Sequence, residues 1–256
     1  MGWKDAFNYG SKLFAKEEER QDAGLPLGAR IGSLITLQMS PFIRASTSGS
    51  VIEAPANLSM LIQAVSRVKI NLSGHLYRLY IETGNDETPE KFIQVFQNQA
   101  GVVEEVMYCT RLTRVFPASA EDQEAFTGEA GYGLGCQSYA LAREQFVELG
   151  FSDSRIAEIF GGEEQLEYQR DAGSAEVEFI PPFTGSEVRI DDAMGAQGLS
   201  QNICFMPYVR QLASGPEYLL ISTEVVTSED GDYSKRAIHV DFMIGLPLEL
   251  ERITVQ

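Results

Sequence analysis

The chain has 256 residues, enough for one large domain or two small ones, and 44% of them are apolar, which excludes global disorder. Its formal net charge is −17, so it repels phosphate backbones and nucleic acid is not an expected partner. No apolar run reaches the ~18–20 residues of a membrane-crossing helix, and the N-terminus lacks a secretory signal's continuous apolar core.

Residues 1–24 read as an N-terminal amphipathic helix and linker. Trp3, Phe7 and Phe14 recur near helical spacing, with Ala6, Gly10 and Leu13 beside them. Lys4, Lys12 and Lys16 lie off this stripe, and Glu17, Glu18 and Glu19 close it. So short a helix needs a surface to lie on. Two readings stay open: it packs on its own domain, or it docks on a partner or a membrane surface. Gln21 to Gly24 reads as a polar linker.

Residues 25–118 read as a β-rich half. Strands or buried apolar runs are expected at Ile31–Met39 and Gly49–Ala54. Val65–Leu72 and Leu76–Glu82 alternate around a Ser73-Gly74 turn, which places His75 in a hairpin turn. Phe92–Gln97 and Val102–Thr110 form a second hairpin.

Residues 119–163 read as an acidic, partly helical insert. Between Pro117 and Glu178 there are 14 acidic residues against Arg143, Arg155 and Arg170, about −11. Ser119, with Asp122 three residues on, starts a short helix over 119–127. Helices are expected over Ala140–Leu149 and Ser152–Phe160. Residues 164–256 read as a second β-rich half packed with the first. Its strands are expected at Gln165–Arg170, Val177–Ile180, Glu187–Ile190, Ile203–Leu212, Tyr218–Thr227, Arg236–Ile244 and Leu248–Val255. The fold expected is α+β, mainly antiparallel sheet, with similar content in the two halves.

No motif carries a recognisable chemistry. His75 and His239 have no second histidine or cysteine at ligand spacing. There is no nucleophile elbow and no phosphate-binding loop, and Gly131–Gly135 has no cation nearby to meet a phosphate. Glu229, Asp230 and Asp232 miss the spacing of a calcium loop. Residues 142–161 have the outline of a helix-turn-helix but the wrong charge for DNA. Cys109, Cys136 and Cys204 are odd in number and widely spaced, which suits small buried residues in a reducing compartment. No catalytic residue, metal ligand or cofactor is assigned. Tyr77, Arg78, Tyr80, Tyr208 and Arg210 are the aromatic and basic strand residues that can line a ligand-binding sheet face.

Leu25–Gly32, His75–Tyr80, Phe116-Pro117-Ala118-Ser119, Tyr168-Gln169-Arg170 ahead of Pro181-Pro182, and Glu217–Ile221 together resemble the YjfK family of bacterial proteins of unknown function. The resemblance covers about residues 25–256 and implies no active site. It implies gene neighbours: those for a phage-shock-type membrane-stress protein, a small channel-like membrane protein and an ATP-grasp ligase. The reading reached is a cytoplasmic interaction or accessory protein of an envelope-stress system. Trp3, Phe7 and Phe14 would dock it to a protein partner such as a coiled-coil stress protein, or bring it to the membrane periphery. The alternative is a small-molecule or peptide-binding module.

Overall fold

The computed structural model describes residues 20–71, 73–83, 89–193, 195, 198–226 and 237–256. The expected helix with Trp3, Phe7 and Phe14, and the acidic turn at 229–232, lie outside them. In chain order the elements are β1 (Leu34–Leu37), α1 (Ser40–Ser46), β2 (Ser59–Ile70), β3 (Gly74–Ile81), β4 (Lys91–Asn98) and β5 (Val103–Val115). Then come α2 (Ala120–Thr127), β6 (Ser138–Ala142), α3 (Arg143–Glu148), α4 (Asp153–Phe160) and β7 (Gln165–Arg170). The chain closes with β8 (Phe183–Ile190), β9 (Gly198–Leu212), β10 (Gly215–Val226), β11 (Ala237–Pro247) and β12 (Ile253–Val255).

Antiparallel sheet dominates, as the alternation predicts, but the sheet closes on itself. β2-β3-β4-β5 is one four-stranded meander and β8-β9-β10-β11 is another. Two seams join them, β5 to β11 and β2 to β8, giving an eight-stranded antiparallel barrel. Each half thus supplies one wall, and the first strand of one meander meets the first of the other. β1 and β12 extend the sheet from β2, and β7 and β6 extend it from β9.

The inner face is identified by what meets across the ring. Ala64, Tyr80, Phe92, Met107, Cys109, Phe205, Leu220 and Met243 form one buried cluster with Phe183 against it. Every barrel strand contributes to that set, which only inward-pointing side chains can do. The alternate residues, among them Val65, Leu79, Ile93, Tyr108, Ile221 and Ile244, are also fully buried, in a second and larger cluster. They share it with Phe42 of α1, Phe146 of α3 and Ile156 and Phe160 of α4, so the outer face is also covered. Phe42 meets Tyr108 edge-on with ring centroids 5.0 Å apart.

Several local readings change. Gly49–Ala54 is not a strand; its amides serve a side chain, described below. Ala140–Leu149 is divided, with 138–142 in β6 and only 143–148 helical. Val177–Ile180 makes one isolated bridge, Cys136 to Phe179. Leu248–Val255 is a 3-10 turn followed by the short β12. His75 lies within β3 rather than in the turn. Gln21–Gly24 is pinned rather than free: Asp22 is fully buried, holds the Arg20 guanidinium at 2.6–2.8 Å and accepts from the Ile31 amide. The Ser119 cap is present, its hydroxyl accepting from the Asp122 amide, and Gly128 ends α2 in the left-handed conformation.

The β2–β8 seam depends on Gly185. A Cβ there would lie 1.9 Å from the Lys69 carbonyl oxygen and 2.8 Å from the Ile70 side chain. Gly185→Ala is therefore expected to force the seam apart, at a cost of about 1–3 kcal/mol. A thermal melt checks this, with Gly215→Ala for contrast. A Cβ at Gly215 would meet no described residue within 4 Å, so only backbone strain is at stake there.

Candidate functional site

Alternation within each strand decides which side chains enter the barrel, and they sort into a polar end and an apolar end. At the end reached by the β3–β4, β8–β9 and β10–β11 connections, the inward positions are charged. Arg78 of β3 is 1% exposed and meets Glu187 of β8 at 2.8 Å. Glu187 also accepts from the hydroxyl of Ser66 and from that of Tyr80. Burial alone would lower the Arg78 pKa, but the facing Glu187 carboxylate outweighs it and the guanidinium is held above its ordinary range. Burial raises the Tyr80 phenol, and the charge of Glu187 adds to the shift. Arg78 Nε and Nη2 have no hydrogen-bond partner among the described residues; the guanidinium lies over the Phe92 ring, 5.3 Å from its centroid.

Nearer the rim, Glu224 and His239 face each other across the β10–β11 pair and are in contact. Asp241, two residues on, points the same way. The three bring ligand atoms within 4.8 Å of one another, a donor set a divalent cation can use. Arg114 already stands against it: its guanidinium is bidentate on Asp241 at 2.5 and 2.6 Å and lies 3.9 Å from Glu224. The cluster is thus an ion-pair network whose cation is an arginine. Burial raises the Glu224 carboxyl above its ordinary range, and the charges of Asp241 and Glu187 raise it further. Arg189 completes this mouth, over the Tyr80 ring at 4.0 Å and paired to Glu90 at 2.8 Å.

At the opposite end, where the hairpins β2–β3, β4–β5 and β9–β10 turn, the interior is apolar and hollow. A cavity of about 230 Å³ is walled by Leu76, Phe96, Met107, Phe183, Phe205 and Leu220, with Pro207 and Tyr218 beside them. Gln94, opposite Arg78 on the adjoining strand, reaches it from the barrel's middle. Gln94 is 6% exposed and its Oε1 has no partner among the described residues. Glu105 and Asp171 stand at the exposed rim. The protein around Glu105 keeps back enough water to raise its carboxyl above the usual range, and Asp171 adds like-charge repulsion. Desolvation pushes the Tyr218 phenol up to about 12. An eight-stranded barrel is just wide enough to be filled by side chains or to hold one small ligand; this one is filled in its middle and open at the apolar end.

The five residues expected to line one sheet face do not share a face. Arg78 and Tyr80 point into the barrel. Tyr77, Tyr208 and Arg210 are on the outer face, where Tyr208 accepts from the Gly135 amide and Arg210 pairs with Glu217 at 2.7 Å. Glu217 is fully buried and collects Arg210, the Tyr168 hydroxyl at 2.9 Å, the Val51 amide at 2.8 Å and the Ser50 hydroxyl. It fastens the segment after α1, and β7, to the barrel wall. Gln94, Glu105 and the apolar wall of the cavity carry no motif. His239-x-Asp241 did carry a signal, two donors at period two on one strand face.

The fold and interior define a closed antiparallel β-barrel with a hollow apolar end. The chain belongs to the family described as a protein of unknown function (DUF2491), whose model matches residues 10–254. No curated protein and no solved structure matches it. Among the described residues no helix is long and apolar enough to cross a membrane.

Proposed function

We propose that the protein is a small-molecule-binding module and that its ligand occupies the apolar end of the barrel. The observation that carries this is Gln94: a buried side chain whose carbonyl oxygen has no partner among the described residues, reaching an apolar cavity of about 230 Å³. A buried acceptor without a donor costs about 1–3 kcal/mol, and a ligand donor or an ordered water would recover it. Concave, mainly apolar walls with a few convergent polar groups are the usual make-up of a ligand site. Binding rather than catalysis is favoured because Glu187, Glu224 and Asp241, at the polar end, are each engaged by an arginine or histidine. The accessory role that the YjfK resemblance implies is the setting we propose for this module, with its ligand as the signal it carries.

Phenylnaphthylamine, a neutral apolar dye that brightens in nonpolar surroundings, tests the reading. Saturable brightening with one site per chain, reversed by octanol, is expected. A linear, non-saturating response would show surface adsorption and contradict a defined site.

A further inference from the structure

We propose that the ligand of the apolar chamber is an organic cation, a protonated amine on a short nonpolar body; this rests on the ligand-binding reading above. The lining separates into an apolar wall and a small set of acceptors. Gln94 Oε1, at the inner end, is buried and has no partner among the described residues. The Glu105 and Asp171 carboxylates stand at the rim, and among the described residues no arginine or lysine lines the chamber. Among the described residues neither carboxylate has a salt-bridge partner, although Glu187, Glu224 and Asp241 inside the barrel all do. The polar end neutralises its acids internally and the apolar end does not.

Two carboxylates facing one mouth repel each other and disfavour an anionic guest. A cation placed between them relieves that repulsion, and its N–H groups can satisfy acceptors of this kind. The apolar wall demands a hydrocarbon or aromatic body, which excludes small inorganic cations as the natural occupant. The volume, about 230 Å³, falls below the roughly 300–1,000 Å³ of pockets that hold drug-sized ligands, so the body is short. The net charge of −17 concentrates cations around the whole molecule and favours the encounter.

The test is a calorimetric titration of the full-length protein with octylamine, octanol and octanoate, which share a chain and differ in the head group. Octylamine is expected to bind about tenfold more tightly than octanol, and octanoate more weakly than either. In the Glu105→Gln/Asp171→Asn double variant, octylamine should fall to the octanol level while octanol is unchanged. Both positions are exposed, so the variant should keep the wild-type melting temperature. Gln94→Leu should weaken octanol, whose hydroxyl can reach the inner acceptor, and leave octylamine, held by its head at the rim, nearly unchanged. Equal binding of amine and alcohol, or octanoate as the tightest of the three, would overturn the cation assignment and leave the chamber as a ligand site. Failure of all three to bind would remove the ligand-binding reading itself.

Discussion

Glu217→Ala is expected to destabilise the protein by about 3–5 kcal/mol, the usual cost of deleting one partner of a buried ion pair. In a chain of this size that is a fall in melting temperature of roughly 10 °C. The cause is concentrated on one side chain. Glu217 is fully buried, and its two oxygens receive Arg210, Tyr168, Ser50 and the Val51 amide from separate parts of the chain. Arg210 also donates to the Gly49 carbonyl at 2.8 Å, and Arg155 donates to the Ser50 carbonyl at 2.7 Å. Loss of the carboxylate therefore leaves Arg210 half-satisfied and frees the segment around residues 49–52. Glu217→Gln keeps one acceptor and should lose less. Chemical denaturation with tyrosine fluorescence as the readout measures both. A loss below about 1 kcal/mol in the alanine variant would show that the network adds little beyond an exposed pair.

Glu187→Leu is expected to cost a similar 3–5 kcal/mol, because it leaves the Arg78 guanidinium buried without a counter-charge. Arg78 is 1% exposed, and Glu187 is its only salt-bridge partner among the described residues. The double variant Arg78→Met/Glu187→Leu removes both charges at once. It should recover most of the loss, since a buried pair exchanged for apolar residues of similar volume is often neutral. Paired denaturation curves of the two variants check this. If the double variant is no better than Glu187→Leu alone, the pair fixes the barrel's packing and is not merely mutual neutralisation. Arg78 faces Gln94 on the neighbouring strand, so the double variant also replaces the polar divide between the two ends.

How far the sequence carried varies with the range of the contacts. Alternation at 65–81, 103–110 and 203–244 located the strands, because period two is a local property. Closure was not legible. It rests on pairing Ile70 with Gly185 and Val115 with Val240, more than a hundred residues apart, and no turn signal records such pairs. Once the barrel is closed and covered outside, both strand faces are buried, and the hydrophobic pattern no longer tells them apart. Parity still did: Tyr77 cannot share a face with Arg78 and Tyr80, so grouping all three by composition mixed the barrel's inside with its outside. The segment 49–54 has a strand's composition, yet the Val51 amide bonds to the Glu217 carboxylate and not to a neighbouring strand. At 138–142 the strand is set by a partner that lies beyond α3 and α4: Tyr139 and Leu141 pair with Tyr168 and Leu166. The candidate site was the least visible part, since an empty space between inward side chains of several strands has no linear signature.

A ligand site inside one end of the barrel has methionines that report on it directly. Met107 lines the apolar chamber, whereas Met60 and Met206 belong to the buried cluster outside the barrel wall. With methionine methyls labelled, titration with octanol should move the Met107 resonance saturably and leave those of Met60 and Met206 in place. A Met107 resonance that stays fixed, or equal drift of all three, would rule out a ligand inside this end of the barrel.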